Sequence, residues 1–514
     1  MVLLKKDGGD QNQENQNRQS RRRSVIAVSA VFAVLAAAVI FFFLTQKKAG
    51  APSSSTLPPL QQSDHTSEGS DPALMASKAP DTQETPPLTQ TAGSGSTKTP
   101  DITLPPGNTP APEEITPTPG DTSTPESTRT PADTPVPDYT RAPTPTPEIT
   151  KAPEETPDSV ESAVQMLLAK MSLEEKIYQL FIVTPEQLRG SGGAVTQIDQ
   201  ILQSALQQRP VGGVICFEEN IRNREQTTGL LAGLQAASRL GLFIAVDEEG
   251  GRVARLGKNS AMGTTAFPPM IEIGDSGNTE NARNVGRTIG KEIKPFGFNL
   301  DLAPVADVFS NPNNPSVGNR CFSRDPLVAA EMVAACVAGF KESGMLCTLK
   351  HFPGHGDTEA DSHYGSAFSS KTQEQLQACE FLPFKAGIDA GADAVMIAHV
   401  SLPNVTGNDL PATLSYEIIT GILRGQLGFD GLVITDAMEM GAITKYFSSG
   451  EAAVKAIQAG VDILLMPKDL EAAVSGILAA VKNGGISEKR LDESVCRILH
   501  VKLEQGIIPL SAVR

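Results

Sequence analysis

Residues 158–514 alternate between short runs of β-branched and other apolar residues and longer segments with the amphipathic spacing of surface helices. Eight short runs predict strands, at 180–183, 211–217, 242–247, 299–306, 347–351, 394–399, 432–436 and 462–466. The longer segments predict helices, among them 222–239, 281–296, 326–343, 373–390, 416–427 and 450–459. Strands that alternate with helices are typical of parallel βα units. Eight such units predict an α/β domain of the (β/α)8 or TIM-barrel type.

An uncharged apolar run lies near the N-terminus. Residues 24–44 comprise 21 positions, which matches the ~20 apolar residues that cross a bilayer as a helix. A cleaved signal peptide is the alternative, but its apolar core is only ~7–15 residues long. Six basic residues precede the run and only Lys47 and Lys48 follow it closely, so the positive-inside rule predicts a cytoplasmic basic tail at 1–23. We therefore expect a single-pass transmembrane protein of the cell membrane whose bulk is extracellular.

Residues 45–157 have the composition of a disordered linker. The stretch 51–157 contains 23 of the 38 prolines, many in Thr-Pro pairs, and hardly any large apolar residue. Such a segment cannot bury enough apolar surface to offset its conformational entropy. It predicts a solvated Pro/Thr/Ser-rich stalk that joins the membrane helix to a globular domain at 158–514.

Charge and cysteine content narrow the class of protein further. The net charge of −16 argues against nucleic acid as a partner, because proteins that bind it present basic patches. The six cysteines show no zinc-like spacing, and several lie within apolar runs. Buried free thiols are therefore favoured over a disulfide framework. We expect a monomer, although the sequence leaves the oligomeric state open.

Polar residues fall at the predicted C-terminal ends of several strands, the face on which TIM barrels carry their active sites. These residues are Asp247, Lys350, His351, His399 and Asp436. Any one of them alone could be a loop group that satisfies the backbone. Their shared position favours a functional cluster.

The densest group of reactive side chains is the segment 350–363, KHFPGHGDTEADSH. A metal site is one interpretation, because His351, His355, His363 and the nearby carboxylates are competent ligands. However, Gly and Pro around His355 indicate an irregular loop, and the HExxH pattern of helical zinc sites is absent from the sequence. We therefore expect neither a metal ion nor another cofactor.

Three further motifs accompany this segment: DEEGGRVAR at 247–255, NRCFSRDP at 319–326 and VITDAMEM at 433–440. Together the four resemble glycoside hydrolase family 3, and within it the β-N-acetylhexosaminidase branch. The resemblance covers about residues 162–503. Two departures are Cys321, where a small hydroxyl or alanine is commoner, and the lack of any tryptophan that could serve as a sugar platform.

The resemblance implies a retaining exo-β-N-acetylglucosaminidase that releases terminal β-linked N-acetylhexosamine from cell-wall or related glycans through a covalent glycosyl-aspartate intermediate. It makes Asp436 the nucleophile and His363 the general acid/base, with Asp361 orienting the imidazole. Histidine suits that role because its ordinary pKa of ~6.5 allows it to donate and accept a proton near neutrality. The residues that the resemblance assigns to sugar binding are Asp247, Arg255, Arg320, Lys350 and His351.

The neighbours of these residues receive supporting roles. We expect Glu248 and Glu249 to be loop or supporting groups and His355 to be part of the loop scaffold. For His399 a pocket-lining role and a core role both remain open.

Three other functions stay open. The same fold could act on another β-glycoside such as a glucoside or xyloside, or it could use phosphate in place of water as acceptor. The domain could also be a non-catalytic wall-binding module on a stalk, but the predicted nucleophile, acid and orienting carboxylate are all present in the sequence.

Overall fold

The computed structural model describes residues 159–190, 193–363 and 365–513. The predicted cytoplasmic tail, membrane helix and stalk lie outside the described residues, and the domain boundaries at 23, 44 and 157 stay predictions. Within the described residues, every helix is too short or too polar to cross a membrane.

Eight parallel strands form the centre of the domain. They are β1 Phe181–Val183, β2 Gly213–Ile215, β3 Phe243–Val246, β4 Leu300–Asp301, β5 Leu346–Phe352, β6 Ala394–Ile397, β7 Leu432–Thr435 and β8 Leu464–Leu465. Each strand pairs with its neighbour in the chain, and β8 returns to pair with β1. A parallel bridge between Ile434 and Ile463 links β7 to β8. The sheet is therefore a nearly closed barrel in which the strands follow chain order.

The strands form because their sequences are almost continuously apolar and β-branched. Parallel strands that are covered by helices on one face and fill a barrel on the other are buried throughout. All residues of β1, β3, β5, β6 and β7 are buried accordingly. The α/β class and the eight-stranded barrel predicted from the sequence are confirmed. Several predicted strands were too long, and the predicted strand 299–306 ends at Asp301, because its partner β3 ends at Val246.

Helices surround the barrel. The α-helices are Val160–Lys170, Leu173–Gln179, Pro185–Arg189, Gln200–Gln208, Arg224–Ala237, Met270–Asp275, Thr279–Ile293, Pro326–Ser343, Gln373–Ala378, Phe381–Asp389, Pro403–Thr406, Gly441–Thr444, Ser449–Ala459, Leu470–Lys482 and Glu488–Glu504. Short 3₁₀ segments are Glu218–Asn220, Lys294–Phe296, Gly318–Arg320, Ala412–Leu414 and Leu510–Ala512. Side-chain caps fix the residue at which many of these helices begin. The hydroxyls of Ser172 and Ser448, for example, each accept a hydrogen bond from the backbone N–H three residues later in the chain.

Two predicted helices differ in form. The segment 416–427 is a π-helix, Glu417–Gln426. The single helix predicted at 373–390 was wrong, because the chain leaves helical geometry at Cys379 and restarts at Phe381. Pro383 lies in the first turn of the second helix, where its missing N–H costs nothing, whereas inside one long helix it would remove a hydrogen bond.

Two short strand pairs lie outside the barrel. Glu248–Gly250 pairs antiparallel with Val253–Ala254, and Ala367–Phe368 pairs in parallel with Val400–Ser401. Both follow directly from loops at the C-terminal ends of barrel strands, so they hold those loops in place around the candidate site.

The six cysteines are all free, and four of them are buried. The expectation of buried thiols without a disulfide framework is therefore confirmed. Burial raises the pKa of the Cys216 thiol to about 12, which keeps it protonated and unreactive.

Candidate active site

A cavity of about 470 Å³ opens at the C-terminal ends of the barrel strands. All eight residues predicted for catalysis and sugar binding line it: Asp247, Arg255, Arg320, Lys350, His351, Asp361, His363 and Asp436. They come from positions almost 190 residues apart in the chain, and the barrel brings them together because its strands end on one face.

Asp436 follows directly after β7, at the floor of the cavity. Its carboxylate accepts the Ala437 N–H at 2.8 Å, and its own N–H is bound by the Ile397 carbonyl. Burial acts to raise the pKa of Asp436, but the imidazoles of His399 and His351 and the Ala437 N–H outweigh it, so the pKa lies below the ordinary 3.8. The carboxylate is therefore ionised at neutral pH, the state a nucleophile requires.

His363 lies on the loop after β5, and its side chain is 64% exposed at the rim of the cavity. The predicted contact with Asp361 is present: Nδ1 is 2.6 Å from Asp361 Oδ1, and the His363 N–H donates to the same oxygen at 2.9 Å. The pKa of Asp361 is lowered because these hydrogen bonds outweigh partial burial. Nδ1 is thus committed to the carboxylate, and Nε2 is left to face the cavity or solvent.

Part of the lining is a cluster of two carboxylates and two cations, Asp247, Glu249, Lys350 and Arg320, which we call the ionic wall. Lys350 Nζ lies 2.7 Å from Asp247 Oδ1 and 2.6 Å from Glu249 Oε1. Arg320 holds Glu249 through two hydrogen bonds of 2.8 and 2.6 Å. Burial would raise the pKa of Glu249, but Arg320 and Lys350 outweigh it and hold that pKa far below its ordinary range. These contacts orient the four side chains, so their remaining donors and acceptors are positioned for sugar hydroxyls.

His351 and Arg255 complete the lining. His351 Nδ1 is 2.7 Å from the buried carboxylate of Asp307, and its Nε2 is 3.4 Å from the Arg320 guanidinium. Arg255 lies 3.5 Å from Asp247 and places its guanidinium 5.3 Å from the centre of the Phe217 ring. Both side chains are therefore oriented by partners rather than free to rotate.

Three neighbours that the sequence singled out have structural roles. Glu248 accepts the backbone N–H groups of residues 255, 256 and 257, so it braces the loop, as expected of a loop group. His355 is buried and both its ring nitrogens bind hydroxyls, those of Thr358 and Ser362. His399 does not line the cavity: it is buried between the Thr413 hydroxyl and the Ala437 carbonyl, which settles its two open interpretations in favour of the core.

Three residues of the site were missed or underrated. Glu249 lines the cavity and joins both cations, although the sequence suggested only a supporting loop role. Asp307 orients His351 from the loop after β4 and has no sequence signal beyond its position after a strand. Glu439 lines the cavity three residues after Asp436, and burial raises the pKa of its carboxyl. The dense carboxylates of the ITDAMEM motif were the signal that could have found it.

The arrangement brings an ionised carboxylate, a hydrogen-bonded imidazole and the ionic wall to one cavity. Such a set can attack a carbon centre, move a proton at the departing oxygen and hold a polar ring. Over residues 159–190, 193–363 and 365–513, no three His, Cys, Asp or Glu side chains are grouped so as to hold a metal ion.

The chain is similar to several known proteins. Residues 172–501 match the family described as "Glycosyl hydrolase family 3 N terminal domain". The chain is 36% identical over 380 residues to beta-hexosaminidase A of Pseudoalteromonas piscicida, covering 68% of this chain and 62% of that one. It therefore spans less than two thirds of that relative.

Two solved structures are similar to the domain. A family 3 β-N-acetylglucosaminidase from a Paenibacillus species shares 38% identity at a TM-score of 0.62, with 66% of this chain and 64% of that one covered. A β-N-acetylhexosaminidase from Beutenbergia cavernae shares 30% identity at a TM-score of 0.58, with 65% of this chain and 99% of that one covered. A barrel of this size thus accounts for nearly all of the second protein.

Proposed function

This chain belongs to glycosyl hydrolase family 3, and on that premise we propose that it is a retaining exo-β-N-acetylglucosaminidase. The observation that carries the proposal is the convergence of Asp436, the His363–Asp361 pair and the ionic wall on one cavity. The relatives named β-hexosaminidase and β-N-acetylglucosaminidase support the choice of an N-acetylhexosamine substrate.

The cavity suits a terminal sugar. It has a volume of about 470 Å³ and lies above the packed interior of the barrel, and Asp247, Glu249, Lys350 and Arg320 form part of its lining. Carboxylate and guanidinium groups at fixed positions bind paired hydroxyls and an acetamido group. A cavity of this volume at the end of the barrel supports the proposal that single sugars are released from a chain end.

In the first step the Asp436 carboxylate attacks the anomeric carbon and forms a glycosyl ester. The bond from that carbon to the leaving oxygen breaks, and this oxygen takes a proton from His363 Nε2. In the second step water attacks the same carbon, gives its proton to His363 and frees the Asp436 carboxylate. Each displacement inverts the anomeric carbon, because Asp436 and then water attack from opposite faces of the sugar, so the two steps together retain the β configuration.

Asp361 supports both steps without touching the sugar. Its contact with Nδ1 fixes the tautomer, so the mobile proton is carried on Nε2. Because His363 is largely exposed, the loop leaves room for the departing glycan and for the water that follows.

Substrate class is tested with a panel of nitrophenyl glycosides. The N-acetyl-β-glucosaminide should be hydrolysed, whereas β-glucoside and β-xyloside should react poorly because they lack the acetamido group. A preference for either of the latter two would contradict the proposal. A rate that rises with phosphate concentration would show that phosphate, rather than water, is the acceptor.

The role of His363 is tested by leaving-group dependence. His363→Ala should slow substrates with poor leaving groups far more than nitrophenyl sugars, because an acidic leaving group needs little protonation. Azide should then speed turnover of the activated sugar, since it needs no general base. Asp436→Ala is the control that should lose turnover of both substrate types. An equal loss for both substrate types in His363→Ala, with no azide effect, would place the acid/base elsewhere, and Glu439 would be the candidate to test.

We also propose that residues 24–44 anchor the protein in the cell membrane with the barrel outside, where cell-wall glycans would be within reach. The support is the uncharged run of 21 residues and the basic residues before it. Protease added to intact cells should release an active barrel fragment. Activity that stays with the cytosol after lysis would contradict the proposal.

A further inference from the structure

A second cavity, of about 710 Å³, opens beside the loop that carries His363. Its lining includes the aromatic rings of Phe368, Tyr446 and Phe447, with polar groups from Ser366 and Asp409 among them. None of these residues takes part in the catalytic cavity or in the chemistry described above.

The two cavities are connected by the same two segments of chain. Residues 361 and 363 line the catalytic cavity and residues 366 and 368 line the second; likewise 439 and 440 line the first, and 442, 446 and 447 the second. The segments are joined by hydrogen bonds of 3.1 Å from Gly441 N–H to the His363 carbonyl and from Ala442 N–H to the Ser362 carbonyl. A shared wall therefore leads from the candidate acid/base into the second cavity.

Two rings in this cavity are unusually exposed for their type. Phe368 is 62% exposed and Tyr446 is 59% exposed, and they are two of only six large apolar side chains exposed in the described part of the chain. The backbone at each ring is hydrogen-bonded: Phe368 lies in the strand pair with Val400–Ser401, and the Tyr446 N–H donates to the Ile443 carbonyl. Exposed aromatic rings that line a cavity are typical of a binding site.

We propose that this second cavity binds the sugar rings on the leaving-group side of the glycan, beyond the bond that is cleaved. The proposal rests on the proposed function. An acid/base must reach the oxygen that joins the terminal sugar to the rest, so the rest of the glycan leaves the catalytic cavity past His363. Three residues span at most about 10 Å, so Ser366, in the lining of the second cavity, lies within that distance of His363 and within reach of a glycan longer than a disaccharide.

The chemistry of the lining fits sugar rings. The apolar faces of pyranose rings can lie on Phe368 and Tyr446, and the Tyr446 hydroxyl and the Asp409 carboxylate can bind the hydroxyls at the ring edges. With no tryptophan in the chain, these two rings supply the exposed platform that a larger aromatic residue would otherwise provide.

The test compares oligomers of β-1,4-linked N-acetylglucosamine with the nitrophenyl monosaccharide. For the wild type, kcat/KM should rise as the oligomer grows beyond a disaccharide. Phe368→Ala and Tyr446→Ala should each lower kcat/KM for long oligomers roughly three- to tenfold, the effect of losing one aromatic stacking contact. For the nitrophenyl sugar, which ends before the second cavity, kcat/KM should not change. Tyr416→Ala is the matched control, because Tyr416 is also 59% exposed but lies outside this cavity.

Several results would overturn the inference. One is a wild-type kcat/KM that does not depend on oligomer length; another is a length dependence that both variants retain. A wild-type dimer that Phe368→Ala or Tyr446→Ala converts to a monomer, with oligomer kinetics unchanged, would show that the rings cover a protein interface instead. If the proposed function itself fails, the wild type will release N-acetylglucosamine from no substrate, the nitrophenyl sugar included, which separates the two failures.

Discussion

Replacing Glu249 by Gln should destabilise the barrel, because this carboxylate neutralises two cations inside it. The Glu249 side chain is 1% exposed, and its partners Arg320 and Lys350 are 12% and 3% exposed. Removal of one partner from a buried ion pair costs about 3–5 kcal/mol, since the other charge is left uncompensated. Lys350 keeps its contact with Asp247, whereas Arg320 loses its two-point partner. We therefore expect a loss near 3 kcal/mol, a large part of the roughly 5–15 kcal/mol that holds a domain folded.

Urea unfolding at pH 7, followed by circular dichroism, measures this loss. The control is Glu342→Gln, which removes the same charge from an exposed pair with Arg283 and should shift the midpoint far less, because water and salt screen such pairs. The pKa of Glu249 is lowered on folding, so its contribution is present above the unfolded value of 4.5 and is lost as pH falls towards the folded value. The difference between wild type and Glu249→Gln should thus shrink below pH 4.5. Equal midpoints for both variants at pH 7 would refute the reasoning.

Three further predictions concern Lys502, Asp307 and the histidines around the cavity. Lys502 is fully buried, and burial lowers its pKa to about 7. The stability of the wild type relative to Lys502→Met should therefore rise by about 1 kcal/mol per pH unit between pH 7 and 9. A difference in unfolding midpoints that stays constant over this range would show that the folded barrel holds the ammonium without penalty. Asp307→Asn should lower kcat/KM about tenfold or more by releasing His351, and unchanged kinetics would mean that His351 needs no such partner. EDTA should leave turnover intact, because these histidine nitrogens already have partners other than a metal ion. Both ring nitrogens of His355 bind hydroxyls, and Nδ1 of His351 and of His363 binds a carboxylate. Activity that is lost with EDTA and restored by zinc would contradict this prediction.

The sequence predicted the barrel well because its strands carry a strong local signal. Parallel strands buried on both faces are continuous apolar runs, and each of the eight stood between helix-length segments. The ends were less predictable, since a strand ends where its partner ends, as with the two-residue strand Leu300–Asp301. The π-helix Glu417–Gln426 was predicted as an ordinary helix. Its local sequence has ordinary helical spacing, so nothing in it indicates the wider turns.

The candidate site could likewise be predicted from the sequence only in part. Residues within motifs, such as the pair Asp361 and His363, were predictable because two positions close in sequence must lie close in space. Asp307 was not, because its partner His351 is 44 residues away and only the pairing of β4 with β5 brings the two together. The ionic role of Glu249 likewise depends on Arg320, which is 71 residues distant.

The central claim, that Asp436 is the nucleophile of a retaining enzyme, is tested most directly by trapping the glycosyl ester. A 5-fluoro N-acetylglucosaminyl fluoride has a good leaving group, and its ring fluorine slows both steps, so the ester should accumulate. Mass spectrometry of the digested protein should locate one fluorinated sugar on the peptide that contains Asp436, and Asp436→Ala should carry none. A sugar attached to another carboxylate such as Glu439, or turnover of the reagent with no adduct at all, would contradict the account.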